Sequence, residues 1–385
     1  MRSFVLILSL LSTVWANTDQ TLDIPAPPPL RAMPQGSLHQ VPDDVWQTFF
    51  ESYQLISQNA VKPLESEALL TGALDGMLST IDRHSRYLTP SEMRYFQTEK
   101  HGEYLGLGLR TEWANQKLCV RAVVPGGPAA TAGLIPGICL ASINDVPATM
   151  ENAPKLKQLL YRAPPGQRVR LTIATKPQRT LTLISSRVHL DSVGAQMAAP
   201  GIGLIQIYQF VSTTAEEIRQ HLEALQQKKI QGLIIDLRDN HGGLFDQAVA
   251  AADLFLNSGV ICALVPRNKH EATTYRAQPG ALVEGVPVVL LVNHDTASSA
   301  EVFAAALQKH HRARVLGTKT FGKGSLQSVF PLPNGGGIKL TTARILDPTG
   351  HPLDQYGVIP DQSLATPDEA SWIQAAIDWL NTERQ

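Results

Sequence analysis

The spacing of hydrophobic residues divides the chain into segments of different character. Residues 17–40 are rich in proline and lack apolar periodicity, so we predict a flexible leader there. Over residues 41–100, apolar side chains such as Leu70, Leu74 and Leu78 recur at helical spacing, which predicts a helical region. From Gly102 onward, short alternating runs separated by glycine and proline indicate a small β-rich domain over residues 101–186.

Strands and helices alternate in the rest of the chain. Three apolar runs are predicted to be buried strands: 202–207, 232–237 and 286–292. Amphipathic segments follow them and are predicted to be helices: 213–227, 244–256 and 300–309. This alternation implies an α/β core with a partly parallel sheet, in which sites collect at the carboxyl ends of strands. Polar segments 236–243 and 293–299 lie at two such ends, and a last amphipathic helix is predicted within residues 366–385.

The first 16 residues, MRSFVLILSLLSTVWA, have the pattern of a secretory signal peptide. Arg2 precedes an apolar run that is too short to span a bilayer, and Ala16 ends a small-residue cleavage site. We therefore expect the mature chain to begin at Asn17 and to reside in a periplasm-like compartment. An uncleaved membrane anchor is the alternative, whereas a lipoprotein anchor has no support because no cysteine lies near the cut.

Composition narrows the classes of protein that fit. The 385 residues, 43% hydrophobic and 17% charged, are typical of a soluble globular protein with two or three domains. A net charge of −1 gives no electrostatic reason to expect nucleic acid as a partner. Cys119 and Cys139 fall in neighbouring strand-like runs and could pair, but with Cys262 the odd, sparse set favours buried free thiols. No metal-ligand spacing occurs, and no metal or cofactor is expected.

Two short segments carry candidate chemistry. Residues 296–301, TASSAE, place small hydroxyl residues where a strand gives way to a helix, beside backbone N–H groups without intrahelical partners. Residues 321–327, FGKGSLQ, place a lysine between two glycines, where it can be buried closely. A serine nucleophile needs a base, and a lysine kept neutral by burial can serve as one. Each segment alone also fits a capped helix or a glycine turn; the pair favours catalysis.

Over residues 65–362 the sequence resembles the C-terminal processing peptidases, or tail-specific proteases, which are secreted serine proteases with a Ser-Lys mechanism and an inserted PDZ domain. The matching segments occur in the family's order: 74–78, 84–90, 104–109, 232–243, 296–301, 320–327, 338–344 and 357–361. The resemblance implies an α/β multi-domain protein. Its parts would be a helical N-terminal region, a PDZ domain, a crotonase-like protease core over residues 187–365 and a C-terminal helix.

The resemblance also implies roles for individual residues. Ser298 would be the nucleophile, Lys323 the general base and Gln327 the residue that orients this lysine. The backbone N–H groups of the oxyanion hole would come from Ser299 and from the glycine loop, Gly242 and Gly243. Ser299 stands where the family often has alanine, which leaves open which serine attacks. The carboxylate-binding loop of the PDZ domain would comprise Leu105, Gly106, Leu107 and Gly108.

The function expected from these features is endoproteolysis, in the periplasm, of exported proteins recognised through their C-terminal tails. Apolar or small tail residues should be preferred, because the loop at 105–109 and the helix with Leu156 and Leu160 offer an apolar groove. The resemblance allows a lipoprotein adaptor and a homo-oligomer as further partners. Two alternatives remain: a serine protease whose base is His241 or His294, and an inactive PDZ scaffold. No G-x-S-x-G motif occurs, which argues against an α/β-hydrolase. No S-x-x-K motif occurs either, which argues against the mechanism of penicillin-binding proteins and β-lactamases.

Overall fold

The structure is a computed structural model that describes residues 42–62, 64–114, 116–124, 126–161, 163–189, 191–364 and 371–383. The predicted signal peptide, the proline-rich leader and the residues just before the last helix lie outside these ranges. In the described part of the chain, no helix combines the length and hydrophobicity needed to cross a membrane.

The N-terminal region consists of helices, as the periodicity predicts, with one short strand. Its elements are α1 (Asp43–Asn59), α2 (Ser66–Ser79), β1 (Arg86–Leu88) and α3 (Pro90–Glu99). Thr89 and Glu92 form a reciprocal capping box at the start of α3. The strand β1 was not predicted; it exists because it pairs antiparallel with a strand of the core, with Arg86 opposite Lys339. This pairing brings the loop before β1 against the core.

The β-rich domain follows with the predicted strands and helix. Its elements are β2 (Glu103–Gly106), β3 (Leu109–Ala114), β4 (Lys117–Val123), α4 (Pro128–Thr131), β5 (Cys139–Ile143), β6 (Val146–Pro147), α5 (Ala153–Tyr161), β7 (Arg168–Ile173), β8 (Arg179–Ile184) and β9 (Ser186–His189). The main sheet has the order β3-β4-β5-β7-β8, so β3 lies at its edge. Leu156 and Leu160 of α5 are buried with Leu107 and Leu109 in the core of this domain. The helix therefore packs beside the edge strand.

The expectation of free thiols at Cys119 and Cys139 was wrong. The two residues lie directly opposite each other in the antiparallel pair β4–β5 and form a disulfide. Strand register, which the sequence does not reveal, decides this pairing. Cys262 is free and buried, and burial raises the pKa of its thiol to about 12.

The remaining residues form the α/β core. Its elements are β10 (Val193–Ala199), β11 (Ile202–Ile207), α6 (Thr214–Gln227), β12 (Gly232–Asp236), α7 (Phe245–Asp253), β13 (Val260–Pro266), β14 (Thr273–Arg276), β15 (Val288–Val292), α8 (Ser299–Lys309), β16 (Arg314–Gly317), β17 (Ser325–Pro331), β18 (Gly337–Leu346), β19 (Gln362–Ser363) and α9 (Ser371–Glu383). The main sheet has the order β10-β11-β12-β15-β16-β19 and is parallel except for β10.

Both faces of this sheet are covered, which explains why the central strands are mostly apolar. Leu233 and Ile235 pack in the cluster that includes Ile218 of α6 and Phe303 of α8. Ile234 between them packs on the other face, with Leu380 of α9. Since β12 and β15 are adjacent and parallel, the polar segments that follow them are neighbours, as predicted.

A second, mainly antiparallel sheet contains β1, β18, β13 and β14, with β17 paired to β18. The sequence analysis did not distinguish β13, β14, β16 and β17 as separate strands. This sheet matters for the site because the glycine-flanked Lys323 lies in the loop that leads into β17.

Candidate active site

Ser298 immediately precedes α8 and has an unusual backbone conformation. Its φ of 58° lies in the left-handed region, which is strained for a residue with a side chain. The side chain is half-buried, whereas Ser299 is only 2% exposed and its hydroxyl donates to the carbonyl oxygen of Gly243 at 3.0 Å. Of the two serines, the geometry therefore favours Ser298 as the one that reaches a substrate.

The glycine loop after β12 lies directly against this serine. A Cβ on Gly242 would stand 2.9 Å from Ser298 Cβ and 2.9 Å from the backbone nitrogen of Ser299, so a side chain at this position would collide with the nucleophile segment. The N–H of Gly242 already donates to Asn240 Oδ1 at 2.8 Å. In the described residues, the N–H groups of Gly243 and Ser299 have no hydrogen-bond acceptor. These two donors, rather than Gly242, are free to bind an oxyanion.

Lys323 lies between two glycines that permit close packing. A Cβ on Gly324 would lie 2.0 Å from the backbone nitrogen of Asp354, and Gly322 has a φ of +86°. Burial lowers the pKa of Lys323 from its ordinary value. The negative charges of Glu301 and Asp82 oppose this shift, and the positive charge of Arg83 adds to it. The lysine is thus held in surroundings that favour its neutral form.

Glu301 joins the two segments, a role that the sequence analysis did not predict. Its carboxylate is fully buried and accepts the N–H groups of Ser298 at 2.7 Å and Lys323 at 2.9 Å through Oε2. Through Oε1 it accepts the N–H of Gly322 at 2.7 Å and the hydroxyl of Thr320 at 2.5 Å. The available signal was the S-x-x-E spacing at residues 298–301, which is typical of a helix N-terminus. In this fold, the same glutamate also binds a distant loop.

The structure does not bring the three predicted catalytic side chains into mutual hydrogen bonds. Among the described residues, Ser298 and Lys323 are linked through their backbones by Glu301, and no hydrogen bond joins Lys323 to Gln327. Nε2 of Gln327 instead donates to Ser325 Oγ at 2.8 Å and to Thr341 Oγ1 at 3.2 Å. The orienting role of Gln327 stays a prediction.

The loop before β1 adds charges beside the lysine. The hydroxyl of Ser85 accepts the N–H of Thr341 at 3.1 Å, which fixes this loop on β18. The guanidinium of Arg83 lies 5.8 Å from the ring centre of Phe321. Burial lowers the pKa of His84, and the charge of Lys323 lowers it further. The segment at 84–90 was recognised by resemblance, but its proximity to the base was not predicted.

The two histidines considered as alternative bases lack the partner that such a base needs. Nδ1 of His241 lies 3.1 Å from the carbonyl oxygen of Asp295, and the ring is exposed. The ring of His294 stacks at 5.9 Å on Phe321. Within the described ranges, neither histidine is hydrogen-bonded to a carboxylate, which orients the base in a Ser-His-Asp arrangement.

The predicted carboxylate-binding loop connects β2 to β3. Leu105 and Gly106 end β2, Leu107 is buried with its carbonyl oxygen bound to the N–H of Ala129 at 2.8 Å, and Gly108 has a φ of +73°. A cavity of about 1080 Å³ runs from this domain to the core. Its lining residues include Leu109, Thr111 and Tyr161 on one side, and Tyr208, Asp239 and His241 on the other.

Two contacts hold the β-rich domain on the core beside this cavity. Arg121 lies 3.7 Å from the carboxylate of Asp239, which belongs to the loop that leads to Gly242. The guanidinium of Arg110 lies 5.5 Å from the ring centre of Tyr208. These contacts place the β-rich domain beside the loop that contains Gly242.

A PDZ-like domain on an α/β core with a serine at a helix N-terminus defines a class of multi-domain serine peptidase, and comparison with known proteins agrees. The sequence model of peptidase family S41 matches residues 201–364, and a PDZ-domain model matches residues 119–175. The carboxy-terminal-processing protease of Bartonella bacilliformis is 30% identical over 321 residues, covering 81% of this chain and 73% of that protein. The carboxyl-terminal-processing protease of Synechocystis is 32% identical over 328 residues, covering 82% and 76%.

A solved structure extends the similarity to three dimensions. The photosystem II D1 C-terminal processing protease has a TM-score of 0.55 and 27% identity, over 83% of this chain and 86% of that one. The chain belongs to the carboxy-terminal-processing proteases, serine peptidases of family S41. The fold class and the family predicted from the sequence are thereby confirmed.

Proposed function

We propose that the protein is a Ser-Lys endopeptidase that recognises exported proteins by their C-terminal tails. The observation that carries the proposal is the buried Glu301 carboxylate, which binds the backbone N–H groups of both Ser298 and Lys323. These two hydrogen bonds hold the segment that contains Ser298 against the segment that contains Lys323. Both segments lie beside the backbone N–H groups of Gly243 and Ser299, which have no acceptor among the described residues. Such an arrangement serves acyl transfer to a serine.

In the proposed reaction, the neutral amine of Lys323 takes the proton of Ser298 as its oxygen attacks the scissile carbonyl carbon. The N–H groups of Gly243 and Ser299 stabilise the oxyanion, and each such donor typically contributes about 3 kcal/mol. The lysine then returns the proton to the leaving amine, and water hydrolyses the acyl-enzyme. Because the two side chains are not hydrogen-bonded in this structure, the lysine must rotate towards Ser298 on a backbone that Glu301 keeps in place.

Tail recognition is supported by the edge position of β3. An extended peptide can add to such an edge by main-chain hydrogen bonds, and backbone N–H groups of the preceding loop can bind its terminal carboxylate. The cavity beside β3 is lined by apolar as well as polar residues, including Leu109 and Leu156, which suits apolar tails. The D1 relative is itself named for processing a C-terminus.

We expect a peptide substrate with a free C-terminal carboxylate to be cleaved more efficiently than the same peptide with an amidated end. Hydrogen bonds to a charged group contribute about 1.5–3 kcal/mol, so amidation should lower kcat/KM by roughly ten-fold or more, mainly through KM. Initial rates on the two peptides over a range of concentrations measure this. Equal kcat/KM values for the two would contradict recognition of the tail.

We also propose that the protein is exported to the periplasm. The signal-like sequence of residues 1–16 supports this, and the disulfide between Cys119 and Cys139 suits an oxidising compartment. N-terminal sequencing of the protein from a periplasmic fraction should therefore begin at Asn17. A chain that retains Met1 and sediments with membranes would instead indicate an uncleaved anchor.

A further inference from the structure

The edge strand of the PDZ domain already has a partner at the position where a tail would pair. The N–H of Thr111 donates to the hydroxyl oxygen of Tyr161 at 2.7 Å, and the Thr111 hydroxyl lies 2.8 Å from the same oxygen. Thr111 belongs to β3 and Tyr161 ends α5, so this hydroxyl bridges the two walls of the groove. A tail that adds to β3 needs the same N–H group for its own carbonyl oxygen.

A second tyrosine covers the carboxylate-binding loop. Tyr104 is only 7% exposed, and its hydroxyl has no hydrogen-bond partner among the described residues. Burial and, to a smaller extent, the neighbouring Tyr161 raise the pKa of Tyr104 to about 12. The ring lies against Gly106, because a Cβ there would stand 2.8 Å from Cε2 of Tyr104.

The two tyrosines therefore lie beside the loop and the edge strand on which a tail would bind. The ring of Tyr104 packs on Gly106 of the loop, and the hydroxyl of Tyr161 accepts the N–H of Thr111 in β3. Both tyrosines line the cavity that continues to the core. In the free protein, the hydroxyl of Tyr161 stands where a carbonyl oxygen of a tail would bind.

We propose that Tyr161 limits how tightly tails bind, because its phenol occupies a donor that a tail must use. The inference rests on the proposed tail recognition. The occupied donor would otherwise pair with the tail's backbone, so Tyr161 weakens the binding of every tail, whether it ends in a free acid or in an amide.

The test measures binding directly, without cleavage. The full chain carrying Ser298→Ala is titrated into a fluorescein-labelled decapeptide that ends in three valines, as free acid or amide, and anisotropy gives Kd. Tyr161→Phe should tighten binding of both peptides by about five-fold, since one such hydrogen bond contributes about 1 kcal/mol.

Tyr275→Phe is the matched control, because Tyr275 lies on β14 of the core and does not line this cavity. Its Kd values should equal those of the parent. Thr111→Val, which removes one of the two contacts of Tyr161, should give about half the gain in binding free energy of Tyr161→Phe. Thermal melting establishes that each variant is folded.

Unchanged or weaker binding by folded Tyr161→Phe would overturn the inference, and weaker binding would make the hydroxyl part of the tail site. A gain for only one of the two peptides would overturn competition with the tail's backbone, which both peptides share. Failure of every variant, including the parent, to bind either peptide would overturn tail recognition itself and this inference with it. The failures of the two proposals are thus distinguishable.

Discussion

Replacing Ser298 or Lys323 with alanine should abolish cleavage of an unstructured peptide, and the double variant should be no worse than either single one. Members of one catalytic unit are strongly non-additive, and losing a nucleophile or its base typically costs about 10⁴-fold or more in kcat. The expected equality follows from the mechanism, in which neither group reacts without the other. Rates of the parent and the three variants under identical conditions measure it.

Two matched variants test the assignment of roles. Ser299→Ala removes only a hydroxyl that is buried and bound to Gly243, and His241→Ala removes an exposed ring, so both should retain substantial activity. The loss of activity caused by Gln327→Ala should be smaller than the loss caused by Lys323→Ala, or similar to it. An active Lys323→Ala enzyme together with an inactive His241→Ala enzyme would overturn the Ser-Lys assignment.

The kcat/KM of the cleavage reaction should rise with pH and then reach a plateau. In the proposed mechanism Lys323 acts only when it is neutral, and burial lowers its pKa below the ordinary value of 10.5. Below the lowered pKa the ammonium form predominates and kcat/KM should fall, whereas above it kcat/KM should reach a plateau. A profile that tracks the ordinary histidine pKa and persists in Lys323→Ala would contradict a lysine base.

Glu301→Gln should impair both stability and catalysis. The buried carboxylate accepts four hydrogen bonds, two of them at each oxygen, and an amide NH₂ would face two of those donors. Hydrogen bonds to a charged acceptor contribute about 1.5–3 kcal/mol each, so we expect a loss of about 3 kcal/mol in the free energy of unfolding. Urea denaturation measures this loss.

The catalytic effect separates a positioning role from a purely structural one. Displacement of the Ser298 and Lys323 backbones should lower kcat by at least about 100-fold while KM for the peptide changes little, because the proposed tail-binding site lies on the PDZ domain. Glu223→Gln, the same change on the exposed face of α6, is the control and should behave as the parent. A folded Glu301→Gln enzyme with the parent's kcat would exclude the positioning role.

Several features of the site followed from local sequence alone. Mostly apolar runs at β11, β12 and β15 predicted strands buried on both faces, and the helix pattern after Ser298 placed this serine at a helix N-terminus. Parallel strands align their carboxyl ends, so the neighbourhood of Gly242 and Ser298 could be expected. Periodicity reports whether a face is buried, and these predictions needed no further information.

Contacts between distant segments were decided only by the tertiary structure. Hydrophobic patterning does not specify which strands pair, so the pairing of β1 with β18, and with it the charges of Arg83 and His84 near Lys323, could not be inferred. The disulfide between Cys119 and Cys139 depends on register, which the sequence left open.

The sequence by itself determined the layers of the fold and which residue types stand at the ends of its strands, because burial periodicity and helix capping act over a few neighbouring residues. Only the tertiary structure decided what those residues bind. Glu301 could be placed at the start of a helix, but its bond to the Lys323 loop required that loop to pack there. Likewise, the hydroxyl of Tyr161 reaches the N–H of Thr111 only because the end of α5 packs beside β3.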